Sequence, residues 1–268
     1  MLKDITLGQF FPGFSVIHRL DPRTKLLMVV LYIVALFSAK SWLSYGLVFA
    51  FLAISIHLST IPLKTITKGL NPVLFIVAFT GILNLFFTDG THAIFTVFGW
   101  TLTWEALERA FFMVTRIMML ITGTFLLTYT TSPIALTDGL ESLLSPFKKV
   151  HFPVHELSMM MCIALRFIPT LIEETDKIMS AQKARGADFE PGSIMDRARA
   201  LVPILVPLFI SAFRRADELA IAMECRCYQG GEGRTKMKIL RDCKWDYEAY
   251  GCGIALVVAV IVLKSFGL

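Results

Sequence analysis

Residues 42–59, WLSYGLVFAFLAISIHLS, contain no Asp, Glu, Lys or Arg. A run of this kind restricts the fold more than any other feature of the chain. Hydrocarbon offers backbone N–H and C=O groups no partners, so a segment crossing it must satisfy its own hydrogen bonds as a helix or within a closed barrel. About 20 apolar residues suffice for a helix. Comparable runs lie at Leu26 to Ala39, about Leu70 to Phe87, about Ala106 to Tyr129 and about Tyr250 to Leu263. One helix through the first two runs would be about 50 Å long, more than a bilayer accepts, so a tight hairpin is expected at Lys40-Ser41. Asp21-Pro22-Arg23-Thr24-Lys25 gives the first helix a start signal, with Asp as cap and Pro in the first turn. Hydrophobic residues make up 55% of the 268 and charged ones 18%, which excludes an ordinary soluble domain. The fold class expected is all-α, a polytopic membrane protein with about five transmembrane helices.

Charge placement orients these spans. Lys3, Arg19, Arg23 and Lys25 precede the first, Lys64 and Lys68 follow the second, and the stretch from Thr88 to Trp104 has no Lys or Arg. Residues 131–247 hold sixteen of the twenty-six Lys and Arg residues. The N-terminus and 131–247 are therefore expected in the cytoplasm and the C-terminus outside. Three parts result: 1–130 with four spans, 131–247 as a cytoplasmic and interfacial region, and 248–268 with the last span. No short apolar core leads to an Ala-x-Ala site, so no cleaved signal peptide is expected. The five cysteines, at 162, 225, 227, 243 and 252, follow no disulfide or zinc spacing and are expected to be reduced. The charge of +5 reads as membrane topology, with no nucleic-acid partner.

The basic region is too apolar for a soluble domain. ALVPILVPLFISAF, residues 200–213, has Arg197 and Arg199 before it and Arg214 and Arg215 after it. Arginines at both ends, on a run only about 21 Å long, point to a helix lying at the inner membrane edge or against another protein. PVHELSMMMCIALRFIP, residues 153–169, raises the same question. Its Met159-Met160-Met161 cluster suits either core packing or a surface that accepts several partner shapes. Ser132 caps a further amphipathic helix, with Leu136, Leu140, Leu143 and Leu144 on one side.

Two charged helices end alike in this region. AQKARGADFEPG, residues 181–192, carries Ala184-Arg185-Gly186, and AMECRCYQGGEG, residues 222–233, carries Cys225-Arg226-Cys227. Gly186 is a natural left-handed stop, whereas the second end lacks that glycine and its stop is expected to shift toward Gly230. Each arginine taken alone would serve to satisfy the last carbonyls of its helix. Together, small neighbours and a planar guanidinium describe two similar ends, each able to enter a groove on another protein.

These residues resemble the transmembrane T component of energy-coupling factor (ECF) transporters, a subclass of ATP-driven importers. The likeness covers nearly the whole chain and rests on HRLDPRTK at 18–25, ALRFIP at 164–169, AQKARG and ECRCY. It implies that the helices of 131–247 are coupling helices. Ala184, Arg185 and Gly186 would dock on one of two ATPase subunits, and Cys225, Arg226 and Cys227 on the other. The apolar helices would hold a small substrate-binding S component, through Met159, Met160, Met161, Leu205, Leu208 and Phe209. ATP would be bound by the partner ATPases, leaving this chain without a cofactor of its own, and the cargo would be a vitamin or a metal ion, a vitamin being preferred.

Other chemistry finds little support. Gly230-Gly231-Glu232-Gly233-Arg234-Thr235-Lys236 lacks the Gly-Lys-Ser/Thr ending of a phosphate loop. His151 and His155 are separated by Pro153, which argues against a shared helical face for a metal. Arg116, inside the fourth span, needs a carbonyl or an acid from a neighbouring helix. A secondary carrier, a conventional ABC permease subunit and an intramembrane enzyme stand as the competing readings.

Overall fold

The computed structural model describes residues 10–87, 93–97, 100–150, 152–187, 194–231, 240 and 243–266. Its elements are α1 (Val16–Arg19), α2 (Pro22–Ser38), α3 (Trp42–Ser59), α4 (Leu63–Phe87), β1 (Ala93–Val97), β2 (Trp100–Thr103), α5 (Trp104–Thr130), α6 (Pro133–Leu144), a 3-10 turn (Ser145–Val150), α7 (Val154–Ala184), α8 (Ile194–Glu224) and α9 (Lys244–Ser265). Among the described residues the fold is all-α apart from the antiparallel β1–β2 hairpin, which lies in the stretch the sequence marked only by its lack of Lys and Arg. Among the described residues, five helices are long and apolar enough to cross a membrane: Trp42–Ser59, Leu63–Leu85, Trp104–Thr130, Val154–Ala184 and Lys244–Ser265.

This set differs from the sequence-based set at two places. The first apolar run forms α2, whose 17 residues fall just short of the others although about 26 Å still suits a thin hydrocarbon layer. The first part of α7, expected to be interfacial, is long and apolar enough to qualify.

The chain divides into two compact units, Gly8–Gly139 with Leu240–Leu268, and Leu140–Ile239. The first unit is built around α2. Asp21 caps it by accepting from the Arg23 N–H, and Pro22 occupies its first turn, as the sequence requires. It ends at Ser38, and Ser41 caps α3, so the chain turns sharply at Lys40. Tyr32, Ala35 and Leu36 of α2 are buried with Val48 and Leu52 of α3, Met119 of α5, and Leu256 and Val260 of α9. Small residues permit this approach: a Cβ on Gly123 would lie 2.5 Å from the Tyr32 ring, and one on Gly253 would lie 2.6 Å from Met28 Sδ.

Polar groups fix the start of α2 within this unit. Asp246, 1% exposed, accepts from the Asp21 and Cys243 N–H groups. The Thr24 hydroxyl donates to Tyr250, and Lys25 Nζ donates to the carbonyls of His18 and Thr130. Arg116 meets the carbonyl the sequence called for: Nη2 donates to Ala39 O at 3.3 Å and Nε donates to the Tyr45 hydroxyl at 2.8 Å. Its guanidinium also lies 5.8 Å from the ring centres of Phe37 and Tyr45.

The second unit contains the end of α6, the 3-10 turn, α7 and α8. Ser132 caps α6, its hydroxyl accepting from the Ala135 N–H. Both long helices run through prolines, Pro169 in α7 and Pro203 and Pro207 in α8. Each apolar stretch is thereby continuous with the charged stretch that follows it.

Candidate functional site

The two arginine ends close with the same pair of backbone hydrogen bonds. Helix α7 finishes at Ala184, Arg185 is its C-cap, and Gly186 turns left-handed at φ 87°. The Gly186 N–H then donates to Lys183 O and the Ala187 N–H to Gln182 O, both at 3.0 Å. In α8 the Cys227 N–H donates to Glu224 O at 2.8 Å and the Tyr228 N–H to Met223 O at 3.0 Å. This is the same Schellman pattern at both ends, with arginine immediately before the left-handed residue. The expectation that the second stop shifts to Gly230 is corrected, because Cys227 itself adopts φ 56°. The backbone bonds require that turn, and the left-handed conformation disfavours cysteine without forbidding it.

These turns also bear on the alternative role for the arginines. Backbone N–H groups take the carbonyls of Gln182 and Lys183 at the first end and of Met223 and Glu224 at the second, so these need no side-chain cap. Arg185 and Arg226 are exposed, as are Ala184, Gly186, Cys225 and Cys227. Neither guanidinium has a hydrogen-bond or ion-pair partner among the described residues.

Contacts between α7 and α8 set the spacing of the two ends. Pro207 lacks an N–H, so the Pro203 carbonyl loses its usual intrahelical donor; Gln182 Nε2 of α7 donates to it at 3.3 Å. Further back on α7, Glu174 accepts from Arg215 Nη2 at 2.8 Å and from the Ser211 hydroxyl. Position 174 thus faces 211 and 215 while 182 faces 203, which makes the helices antiparallel. Roughly 25 residues of α8 separate Arg226 from the position opposite Arg185, so at about 1.5 Å each the arginines lie on the order of 35–40 Å apart.

The apolar candidates do not form one patch. Met160 and Leu205 are 60% and 44% exposed and Phe209 is 60% exposed, while Met159 and Leu208 are partly covered. On the antiparallel register Met159, Met160 and Met161 face the end of α8, whereas Leu205, Leu208 and Phe209 face the last turns of α7. About 30 Å of helix separates the groups. Val202, Val206 and Phe213 join Leu205 and Phe209 in one exposed apolar stripe at helical spacing. The i, i+3, i+4, i+7 pattern of 200–213 could have identified all five.

Among the described residues the remaining titratable groups do not assemble into a reaction centre. Glu141 accepts from His155 Nδ1 at 3.2 Å and from the Ser158 hydroxyl at 2.9 Å. Serine and histidine both face the carboxylate, which is unlike a nucleophile–base pair. No group of three or more His, Cys, Asp and Glu side chains is placed to hold a metal among the described residues. His151 and residues 232–236 of the phosphate-loop look-alike lie outside those residues.

Comparison with known proteins agrees with this architecture. Residues 13–237 match the family model described as CbiQ, cobalt transport protein. An energy-coupling factor transporter transmembrane protein EcfT of Thermosediminibacter oceani is 57% identical, over 98% of this chain and 99% of its own. The EcfT protein of Clostridium kluyveri is 54% identical over 98% of both chains, and that of Bacillus subtilis 47% over 99% of this chain and 97% of its own. Full-length identity at this level, together with long apolar helices, establishes that the chain belongs to the EcfT family of energy-coupling factor transporter transmembrane proteins.

Proposed function

We propose that this chain is the scaffold and coupling subunit of an ECF-type importer, carrying ATP-driven motion from two ATPase subunits to a substrate-binding S component. The observation that carries the reading is the pair of helix ends closed by the same turn, each presenting an exposed arginine between small residues with no partner among the described residues. Two equivalent ends on one antiparallel pair suit two related ATPases. A change in the distance between those ATPases would load α7 and α8 through their ends. The chain itself hydrolyses nothing and binds no nucleotide; ATP belongs to the partners. The N-terminus is cytoplasmic and the C-terminus outside.

The exposed stripe from Val202 to Phe213 on α8, with Met159, Met160 and Met161 as a second contact, suits the apolar surface of an S component. We assign a vitamin as cargo, selected by the S component. A secondary carrier would need polar groups converging at membrane depth, and Arg116 is engaged by Tyr45 and Ala39. The chain purified in mild detergent from its own cells should bring down two ATPase subunits and at least one small membrane protein. Recovery without any ATPase would end the coupling reading.

A further inference from the structure

The loop after the second arginine end makes a contact that docking does not explain. Gly231 lies against His155 in the first turn of α7: a Cβ there would come within 2.6 Å of the ring Cδ2, 2.8 Å of Cγ and 3.0 Å of Cβ. Rotating the ring would not relieve the contact with His155 Cβ, which is fixed to the backbone. The ring is also held from its far side, since His155 Nδ1 bonds Glu141 and Ser158 bonds the same carboxylate. Glu141 is 9% exposed, and His155 Nε2 is buried without a hydrogen-bond partner.

Filling such a position with apolar side chains would cost less than burying a carboxylate and an imidazole nitrogen in this way. Polar clusters of this kind fix one geometry among several that would pack equally well. Here the geometry fixed is the seat of the chain segment leaving Arg226. Only Cys227 to Gly230 lie between that arginine and the contact, and the Schellman bonds and left-handed Gly230, at φ 92°, constrain the tether further. Meanwhile Arg185 lies at the other end of α7.

We propose that Gly231, packed on His155 and seated on Glu141, is the joint through which displacement of the second arginine end moves the base of α7. Gly231, His155 and Glu141 are positioning residues of the coupling. The inference rests on the docking reading of Arg226 and adds the route by which load on one end reaches the helix that carries the other.

The test uses the assembled complex in lipid nanodiscs, with the native cysteines replaced by alanine, which keeps the flanks of Arg226 small, and a fluorophore on a cysteine at exposed position 156 (Glu156→Cys) at the base of α7. ATPase capture and ATP hydrolysis are measured alongside the fluorescence change on adding ATP with vanadate. Gly231→Ala should keep ATPase capture and hydrolysis but reduce the fluorescence change at least fivefold. His155→Ala in the same chain removes the ring contacts at 2.6 and 2.8 Å, leaves only the 3.0 Å contact with Cβ, which a shift of a few tenths of an ångström relieves, and should restore at least half of it. A wild-type response in Gly231→Ala overturns the joint, as does loss of ATPase capture in Gly231→Ala or a double variant whose response is no better than that of Gly231→Ala. A wild-type chain that captures no ATPase would instead overturn the docking reading, so the two failures are distinct.

Discussion

At the scale of single residues, backbone satisfaction frees the arginines. Because the Gly186 and Cys227 turns occupy the carbonyls of Gln182 and Lys183 and of Met223 and Glu224, Arg185 and Arg226 need not cap them, and their charge is available to a partner. The two ends differ in what the left-handed turn costs. Gly186 adopts φ 87° without a Cβ, whereas Cys227 holds φ 56° with one, a penalty of about 1–2 kcal/mol. Cys227→Gly should therefore raise the thermal midpoint in detergent by about 2–8 °C, with ATPase capture unchanged. A lowered midpoint would mean that the Cys227 side chain makes a stabilising contact that outweighs the strain. The arginines and their small flanks were legible in the sequence; the turn at Cys227 was not. Gly230-Gly231 is the stronger stop signal by composition, but the helix terminates where the first complete set of backbone bonds closes.

At the scale of elements, α7 and α8 form one antiparallel unit held by side chains that act on defects in each other's backbone or charge. Gln182 replaces the donor that Pro207 cannot supply, and Arg215 neutralises Glu174. Local rules read Pro169, Pro203 and Pro207 as breaks because each removes a hydrogen bond. A sequence does not show that a glutamine about 20 residues away takes over the orphaned carbonyl at Pro203. The start signals at Asp21 and Ser132 and the hairpin at Lys40 were legible because they depend on neighbours within a few residues. The register of α7 on α8 depends on distant pairs and was not. That register predicts a distance: nitroxide labels replacing Arg185 and Arg226 in an otherwise cysteine-free chain should give a pulsed dipolar distribution centred at roughly 35–40 Å. A maximum below about 25 Å would require parallel or steeply crossed helices and would refute the pairing.

At the scale of the whole molecule, a body of helices around α2 and a pair of arginine-ended helices divide the chain. The number of apolar helices was legible, but their identity was only partly so. Hydropathy measures the run and cannot see that α2 is 17 residues long while α7 continues unbroken through Pro169. Exposed apolar surface on α8 and exposed guanidinium groups at both helix ends describe a subunit that is incomplete alone. The central claim is that each arginine end holds one ATPase, and native mass spectrometry of the detergent-purified complex tests it most directly. The wild-type chain should carry two ATPase subunits, Arg185→Glu and Arg226→Glu one each, and the double variant none, all four inserting equally into the membrane. A double variant that still carries two ATPases would contradict the account.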